Sequence, residues 1–265
     1  MQFRINNHDL ADPVRPVAEV LAPEQKAHLI ENGYVVRERL LQGEALEAVR
    51  QAVDELAEEA GGAAASGSPG GATFGGLFVR RVVEKHPIFW RLAQDERFAG
   101  LARAILGPQV QLHAGVIRVT YPGQPGQETH WHFHQRVIPE PLPPFFARPR
   151  VLDNLIYLDD LDEETGPFCV LPGSHLDLHK ELPAGIVTDR PGQVKVMVPA
   201  GSCVTADAAL WHRGMPTTER GRRRRLLILG YSATWMKQVD PIDPEFLPDE
   251  TDRLNLELLG RTGYY

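Results

Sequence analysis

Two cysteines in 265 residues are too few for a disulfide-stapled scaffold, and neither has the spacing of a zinc cluster. Cys169, in Pro167-Phe168-Cys169-Val170-Leu171, and Cys203, in Ser202-Cys203-Val204, lie among apolar residues, which predicts reduced thiols in the core. No run approaches the roughly 18–20 apolar residues of a membrane span, and the opening Met1-Gln2-Phe3-Arg4-Ile5-Asn6 carries no signal-peptide apolar segment. A soluble, cytoplasmic protein with no membrane partner is expected. A basic excess is also missing. The formal net charge of −7 argues against a nucleic-acid partner, which needs a broad basic surface. The one basic run, Arg220-Gly221-Arg222-Arg223-Arg224-Arg225, leads straight into Leu226-Leu227-Ile228-Leu229 with no interleaved aromatics. It reads as a solvated loop in which one arginine at a strand start can face inward. Ordinary apolar (43%) and charged (24%) fractions exclude disordered and fibrous classes.

What the chain does have is Thr129-His130-Trp131-His132-Phe133-His134-Gln135, which holds three of its ten histidines at alternate positions. In an extended strand these three would share one face, with Trp131 and Phe133 on the other. Neutral imidazole is the commonest side-chain ligand of divalent transition metals, and ligands at i and i+2 can reach one ion. A metal site is therefore expected. The competing reading is a polar strand face satisfied by water.

Around this stretch the chain divides by pattern within one expected domain, 1–265. Residues 1–21, with Pro13 and Pro16, read as an irregular arm. Residues 22–109 read as helical support: a helix opening at Ala22-Pro23-Glu24-Gln25 and closing at Asn32-Gly33, a strand Tyr34-Val35-Val36, an amphipathic helix from Gly43 to Glu59 with Leu46, Val49, Val53 and Leu56 on one face, and a helical pair over Pro87–Leu106. The segment 61–76 is dominated by glycine and alanine and predicts a mobile loop or lid beside a pocket. Residues 110–235 switch to short strands punctuated by Pro and Gly: Val110–Leu112, Gly115–Tyr121, the histidine stretch, Asn154–Leu158, Phe168–Leu171, Val194–Val198, Ser202–Thr205 and Leu226–Tyr231. That rhythm predicts an antiparallel sandwich or barrel such as a jelly roll. The run Pro139-Glu140-Pro141-Leu142-Pro143-Pro144 cannot join a ladder and should form a loop near the histidines. Residues 236–265 are a C-terminal extension.

Three segments together resemble the phytanoyl-CoA dioxygenase-like family of Fe(II)- and 2-oxoglutarate-dependent oxygenases. They are Glu31-Asn32-Gly33-Tyr34-Val35-Val36, then Thr165-Gly166-Pro167-Phe168-Cys169-Val170-Leu171-Pro172-Gly173-Ser174-His175, and Trp211-His212-Arg213-Gly214 before an arginine-rich strand start. The resemblance implies a mainly β fold with flanking α-helices, a double-stranded β-helix (jelly roll, cupin-like). It also implies Fe(II) and 2-oxoglutarate as cofactors, molecular oxygen and a small organic molecule as reactants, and hydroxylation coupled to decarboxylation of 2-oxoglutarate. The family's ligand pattern, His-x-Asp or His-x-Glu plus a distal histidine, maps onto His132, His134 and His212, with histidine where the carboxylate should stand. His130-x-His132 is an alternative register, and Asp153 an alternative carboxylate from a neighbouring strand. No catalytic residue beyond the metal ligands is implied.

The family's arginine for 2-oxoglutarate maps onto Arg224 when counted from the strand end and onto Arg223 when counted from His212. A slip of one residue reverses which side chain faces inward. Arg224 is preferred because the preceding loop can absorb an insertion and the strand cannot. The other outcomes left open are a catalytically silent, metal- or ligand-binding relative and, less favoured, a halogenase. Halogenation needs a vacated coordination position, and His134 is large enough to fill it. His175 is expected to hydrogen-bond its own turn, and no role falls to His8, His28, His86 or His113. Trp131, Phe133, Phe145, Phe146 and Trp235 are expected in the core.

Overall fold

The computed structural model describes residues 19–61, 75–134, 141, 149–177, 185–248 and 252–261. Most of the glycine-rich segment and of the proline run, together with His8, Phe145, Phe146 and His179, lies outside the described residues.

The first helix, α1 (Pro23–Asn32), starts on Pro23, whose fixed φ suits the first helical position. It stops where Gly33 turns left-handed at φ 81°. Strand β1 (Tyr34–Arg37) follows, then α2 (Gly43–Glu59). Leu46, Val49, Val53 and Leu56 form the buried stripe of α2, as its helical spacing predicts. Next come β2 (Leu77–Arg80), α3 (Pro87–Gln94) and α4 (Ala99–Leu106). The His86 ring caps α3 by accepting from the Ile88 amide at 3.2 Å, a local duty unconnected with a metal.

The remaining strands are β3 (Val110–Thr120), β4 (Val151–Tyr157), β5 (Phe168–Val170), β6 (Val194–Val196), β7 (Ser202–Asp207), β8 (His212–Gly214) and β9 (Arg224–Ala233). They pair antiparallel in two sheets, one in the order β1-β7-β4-β9-β3-β2 and one in the order β6-β5-β8. The two sheets enclose Tyr34, Leu155, Tyr157, Phe168, Val170, Val204 and Leu226 between them, the layout of a jelly roll. The opposite face of the larger sheet, with Ile156, Leu227, Leu229 and Tyr231, packs against α2, α3 and α4. Alternation along β9 thus sends Leu227, Leu229 and Tyr231 to the helices, and Arg224, Leu226 and Ile228 towards the cavity between the sheets.

Four local expectations change. Val110–Leu112 and Gly115–Tyr121 are one strand, β3, carried past His113 by a bulge between Leu112 and Ala114. β2 and β8 form where no strand is predicted; both are too short to show a pattern, and they exist through pairing with β3 and β5. A C-terminal helix, α5 (Arg253–Leu258), packs on β3, with Leu258 and Leu259 buried and the Glu257 carboxylate accepting from the Val110 amide at 3.2 Å. The histidine stretch is no strand of a ladder. Its amides bond to four separate carbonyls: Thr129 to Gly214 at 2.9 Å, Trp131 to Ile186 at 2.8 Å, His132 to His212 at 3.0 Å, and His134 to Ala208 at 2.7 Å. Cys169 and Cys203 are free and buried, as predicted. No helix among the described residues is long and apolar enough to cross a membrane.

Candidate metal centre and the cavity around it

A single reciprocal bridge, His132 to His212, joins the histidine stretch to the first residue of β8. It brings the His132 and His212 rings to 4.3 Å between centroids, and the His134 ring lies 4.9 Å from His212. Each of the three offers one ring nitrogen, and the three nitrogens lie within 4.8 Å of one another. Every Nδ1 is already engaged. His132 donates to the His130 carbonyl at 2.8 Å, His212 to the Leu210 carbonyl at 2.8 Å, and His134 to the Asp153 carboxylate at 2.7 Å. An Nδ1–H that is donating fixes the tautomer and leaves Nε2 as the lone-pair nitrogen. Burial, reinforced by the neighbouring histidines, holds the His132 imidazole well below its usual range and the His212 imidazole down to about 3. Both are therefore neutral at ordinary pH, the form that ligates metal.

The cluster opens on a cavity of about 110 Å³ between the sheets. Two arginines line it, Arg224 from the first residue of β9 and Arg118 from β3. They are 3% and 6% exposed. Arg224 Nη1 donates to the Gly166 and Met215 carbonyls, and Arg118 Nη2 to the Gln127 carbonyl. Among the described residues neither forms an ion pair, and Arg118 Nε has no hydrogen-bond partner. Burial, and then the Arg224 charge, pull the Arg118 guanidinium down to about 9. Two adjacent buried cations lacking a protein counter-ion are costly unless an anion joins them. Leu155, Leu226, Ile228 and Phe168 make the wall between the arginines and the histidines apolar. Asp207, 5% exposed, lines the same cavity, with its carboxyl raised to about 7 by burial and, less, by Asp153.

The family model described as Phytanoyl-CoA dioxygenase (PhyH) matches residues 29–225, most of the chain. The chain belongs to this family. Curated relatives are the ectoine dioxygenase of Bordetella parapertussis, 29% identical over 163 residues (60% of this chain, 51% of the relative), and that of Sphingopyxis alaskensis, 36% identical over 103 residues (37% and 32%). The chain spans about half the length of the curated relatives it matches, or less. Among solved structures, HygX from Streptomyces hygroscopicus with nickel and 2-oxoglutarate bound superposes with TM-score 0.65 at 19% identity, over 82% of this chain and 89% of that one. EctD from S. alaskensis with 2-oxoglutarate and 5-hydroxyectoine gives TM-score 0.65 at 22% identity, over 92% and 85%. These likenesses establish a PhyH-type jelly roll.

The PhyH frame brings some of the predicted residues together and keeps others apart. His132, His134 and His212 converge, and His130 stays exposed outside the cluster, with its backbone carbonyl accepting from His132 and its ring edge-on to the His132 ring at 5.6 Å. Asp153 lies behind His134 and is not one of the converging groups. Arg224 faces the cavity, whereas Arg223 leaves the sheet on the other side and meets Asp54 at 2.8 Å. Arg222 pairs with Asp160 and Asp162, and Arg225 with Asp54 and Asp159. His175 donates to the Ile30 carbonyl of α1 at 3.0 Å, so it ties its turn to the helix instead of bracing the turn itself. Trp131 is core at 1% exposure, whereas Trp235 is 51% exposed beneath the Arg150 guanidinium, because β9 has already ended. Sequence reasoning missed Arg118, Tyr157 and Asp207. The signal for Arg118 was a lone charge at an inward position of the apolar run Val116-Ile117-Arg118-Val119. Tyr157 and Asp207 had none.

Proposed function

We propose that this chain is a non-haem iron(II)- and 2-oxoglutarate-dependent dioxygenase that oxidises a small organic molecule, with hydroxylation as the default outcome. One observation carries the reading: a single cavity joins three converging imidazoles to two buried guanidinia that form no ion pair among the described residues. The donor set fits the metal. Three ring nitrogens on imidazoles whose Nδ1 atoms are tied down suit divalent iron, as they suit nickel or zinc. Family membership supports iron over the others, and so do solved relatives of this fold with iron and with 2-oxoglutarate bound.

Bound iron and 2-oxoglutarate would supply oxygen activation, coupled to decarboxylation of the co-substrate to succinate. The chain's own residues do the rest. His132, His134 and His212 are the residues that would hold the metal, at the end of the cavity they line. Arg224, its Nη1 anchored on two carbonyls, presents the rest of its fork to a carboxylate, and Arg118 adds a second charge for the same dianion. Leu155, Leu226, Ile228 and Phe168 exclude water between the two groups. His134 would supply the third nitrogen where a halogenase would need a vacated position, which disfavours that alternative.

The test is anaerobic titration of iron(II) and 2-oxoglutarate, followed by the weak visible charge-transfer band of their chelate. The band should form in the wild type and disappear in His132→Ala and His212→Ala, with circular dichroism unchanged. Zinc uptake without any band would make the chain a binding module that keeps the fold and lacks the chemistry.

A further inference from the structure

The cluster has no carboxylate among its converging groups, yet a carboxylate touches it from behind. Asp153 sits on β4, between β7 and β9 in the larger sheet, where its backbone is fixed on both sides. Its Oδ2 accepts the His134 Nδ1–H at 2.7 Å. His132 and His212 are oriented by backbone carbonyls, two residues away in each case, and only His134 relies on a side chain. The need differs too, because the His134 side chain is 44% exposed and the Asp153 side chain 9%. A half-open ring is thus held by a group that cannot itself swing away. The opposing residue of β9 makes room for this arrangement. Gly230 faces Asp153 across the ladder, and a Cβ there would lie 2.6 Å from Asp153 Oδ1.

We infer that Asp153 is the positioning residue of the metal centre: it fixes the His134 ring with Nε2 towards the metal and returns, one bond behind the ligand, the negative charge that a carboxylate ligand would have carried. The inference rests on the metal centre proposed above. A carboxylate bonded to Nδ1 makes the imidazole a stronger donor and removes the entropy of orienting it. Its orienting effect is therefore exerted on His134, the one converging ring to which it is hydrogen-bonded.

That dependence is open to a double-mutant cycle read in metal affinity, without turnover. Iron(II) is titrated anaerobically into the wild type, Asp153→Ala, His134→Asp and the double variant. Asp153→Ala should weaken binding about 10- to 100-fold in the His134 background. In the His134→Asp background, where no imidazole remains to be oriented, the same change should shift affinity by less than about threefold. Gly230→Ala, which removes no polar group but crowds Asp153, should weaken binding in the first background and not in the second. Equal losses in both backgrounds would assign Asp153 a general structural role and overturn the inference, as would no loss in either. A wild type that takes up no metal would instead overturn the centre itself, and the role of Asp153 with it.

Discussion

Arg223 and Arg224 are neighbours with opposite environments. Arg223 is 40% exposed and meets Asp54, which Arg225 also meets at 3.1 Å; Arg224 is buried against the cavity with no acidic partner among the described residues. The period of two along β9 enforces the difference. Counting from His212 points to Arg223 because the loop between β8 and β9 has its own length, whereas counting along the strand respects the pleat and points to Arg224. The expected outcome is a loss of 2-oxoglutarate affinity of at least about 100-fold in Arg224→Ala, from a charge-assisted bidentate contact worth roughly 3 kcal/mol. Arg223→Ala should change it less than threefold, since an exposed pair contributes about 0–1 kcal/mol and lies on the far side of the sheet. Isothermal titration with metal present decides it. The reverse ranking would mean that the dianion does not reach the arginine end of the cavity.

Elements that bury one face were legible in the sequence, and those buried on both were not. The amphipathic α2 shows its stripe at helical spacing, and α1 announces both ends through Pro23 and Gly33. β4 is buried at all seven positions, Val151–Tyr157, so no alternation marks its start, and Asp153 and Asn154 read as a break in an apolar run when both lie inside. The three converging histidines were singled out from spacing and resemblance, although the strand assumed for them does not exist. What survives is the proximity of residues two apart, whatever their backbone pairing. Gly33 shows how tightly the elements lock. Besides its left-handed φ of 81°, it lets His175 Nδ1 and a Leu210 methyl approach to 2.5 and 2.9 Å of where a Cβ would stand. Gly33→Ala should therefore cost more than the roughly 1–2 kcal/mol of the left-handed backbone alone, because the turn carrying His175 must also move away from α1. A urea midpoint lowered by no more than that backbone penalty would show that the turn yields freely.

Across the whole molecule the cavity is polarised along the strands that line it. Arg118, Arg224 and Tyr157 occupy one end of the sheet register, and Asp153 and Asp207, which pair with Ala206 and Leu152 at adjacent steps of the β4–β7 ladder, occupy the other. The acidic end has a cost that depends on pH. Asp207 has its carboxyl raised to about 7 by burial, against about 3.9 in an unfolded chain. Between those values the folded state holds a proton that the unfolded state has released, so this group's contribution to stability falls as pH rises from about 4 to 7. The buried histidines act in the opposite sense. His113, His132, His175 and His212 are all depressed by burial, so the unfolded chain binds more protons below about 6.5 and stability falls on acidification. Replacing Asp207 by Asn separates the two trends, since an amide oxygen can still accept the Ala209 amide at 2.8 Å but carries no charge. In metal-free protein, the stability of Asp207→Asn relative to wild type should increase with pH from 5 to 7, by at most about 1.4 kcal/mol per pH unit, and level off above 8. Denaturant titrations at each pH measure it. Parallel curves would mean that the Asp207 carboxylate is charged at no cost, compensated by a cation such as the Arg150 guanidinium whose charge it already feels. A widening gap would mean that the cavity carries a neutral carboxylic acid near pH 7, a hydrogen-bond donor facing the same space as the histidines.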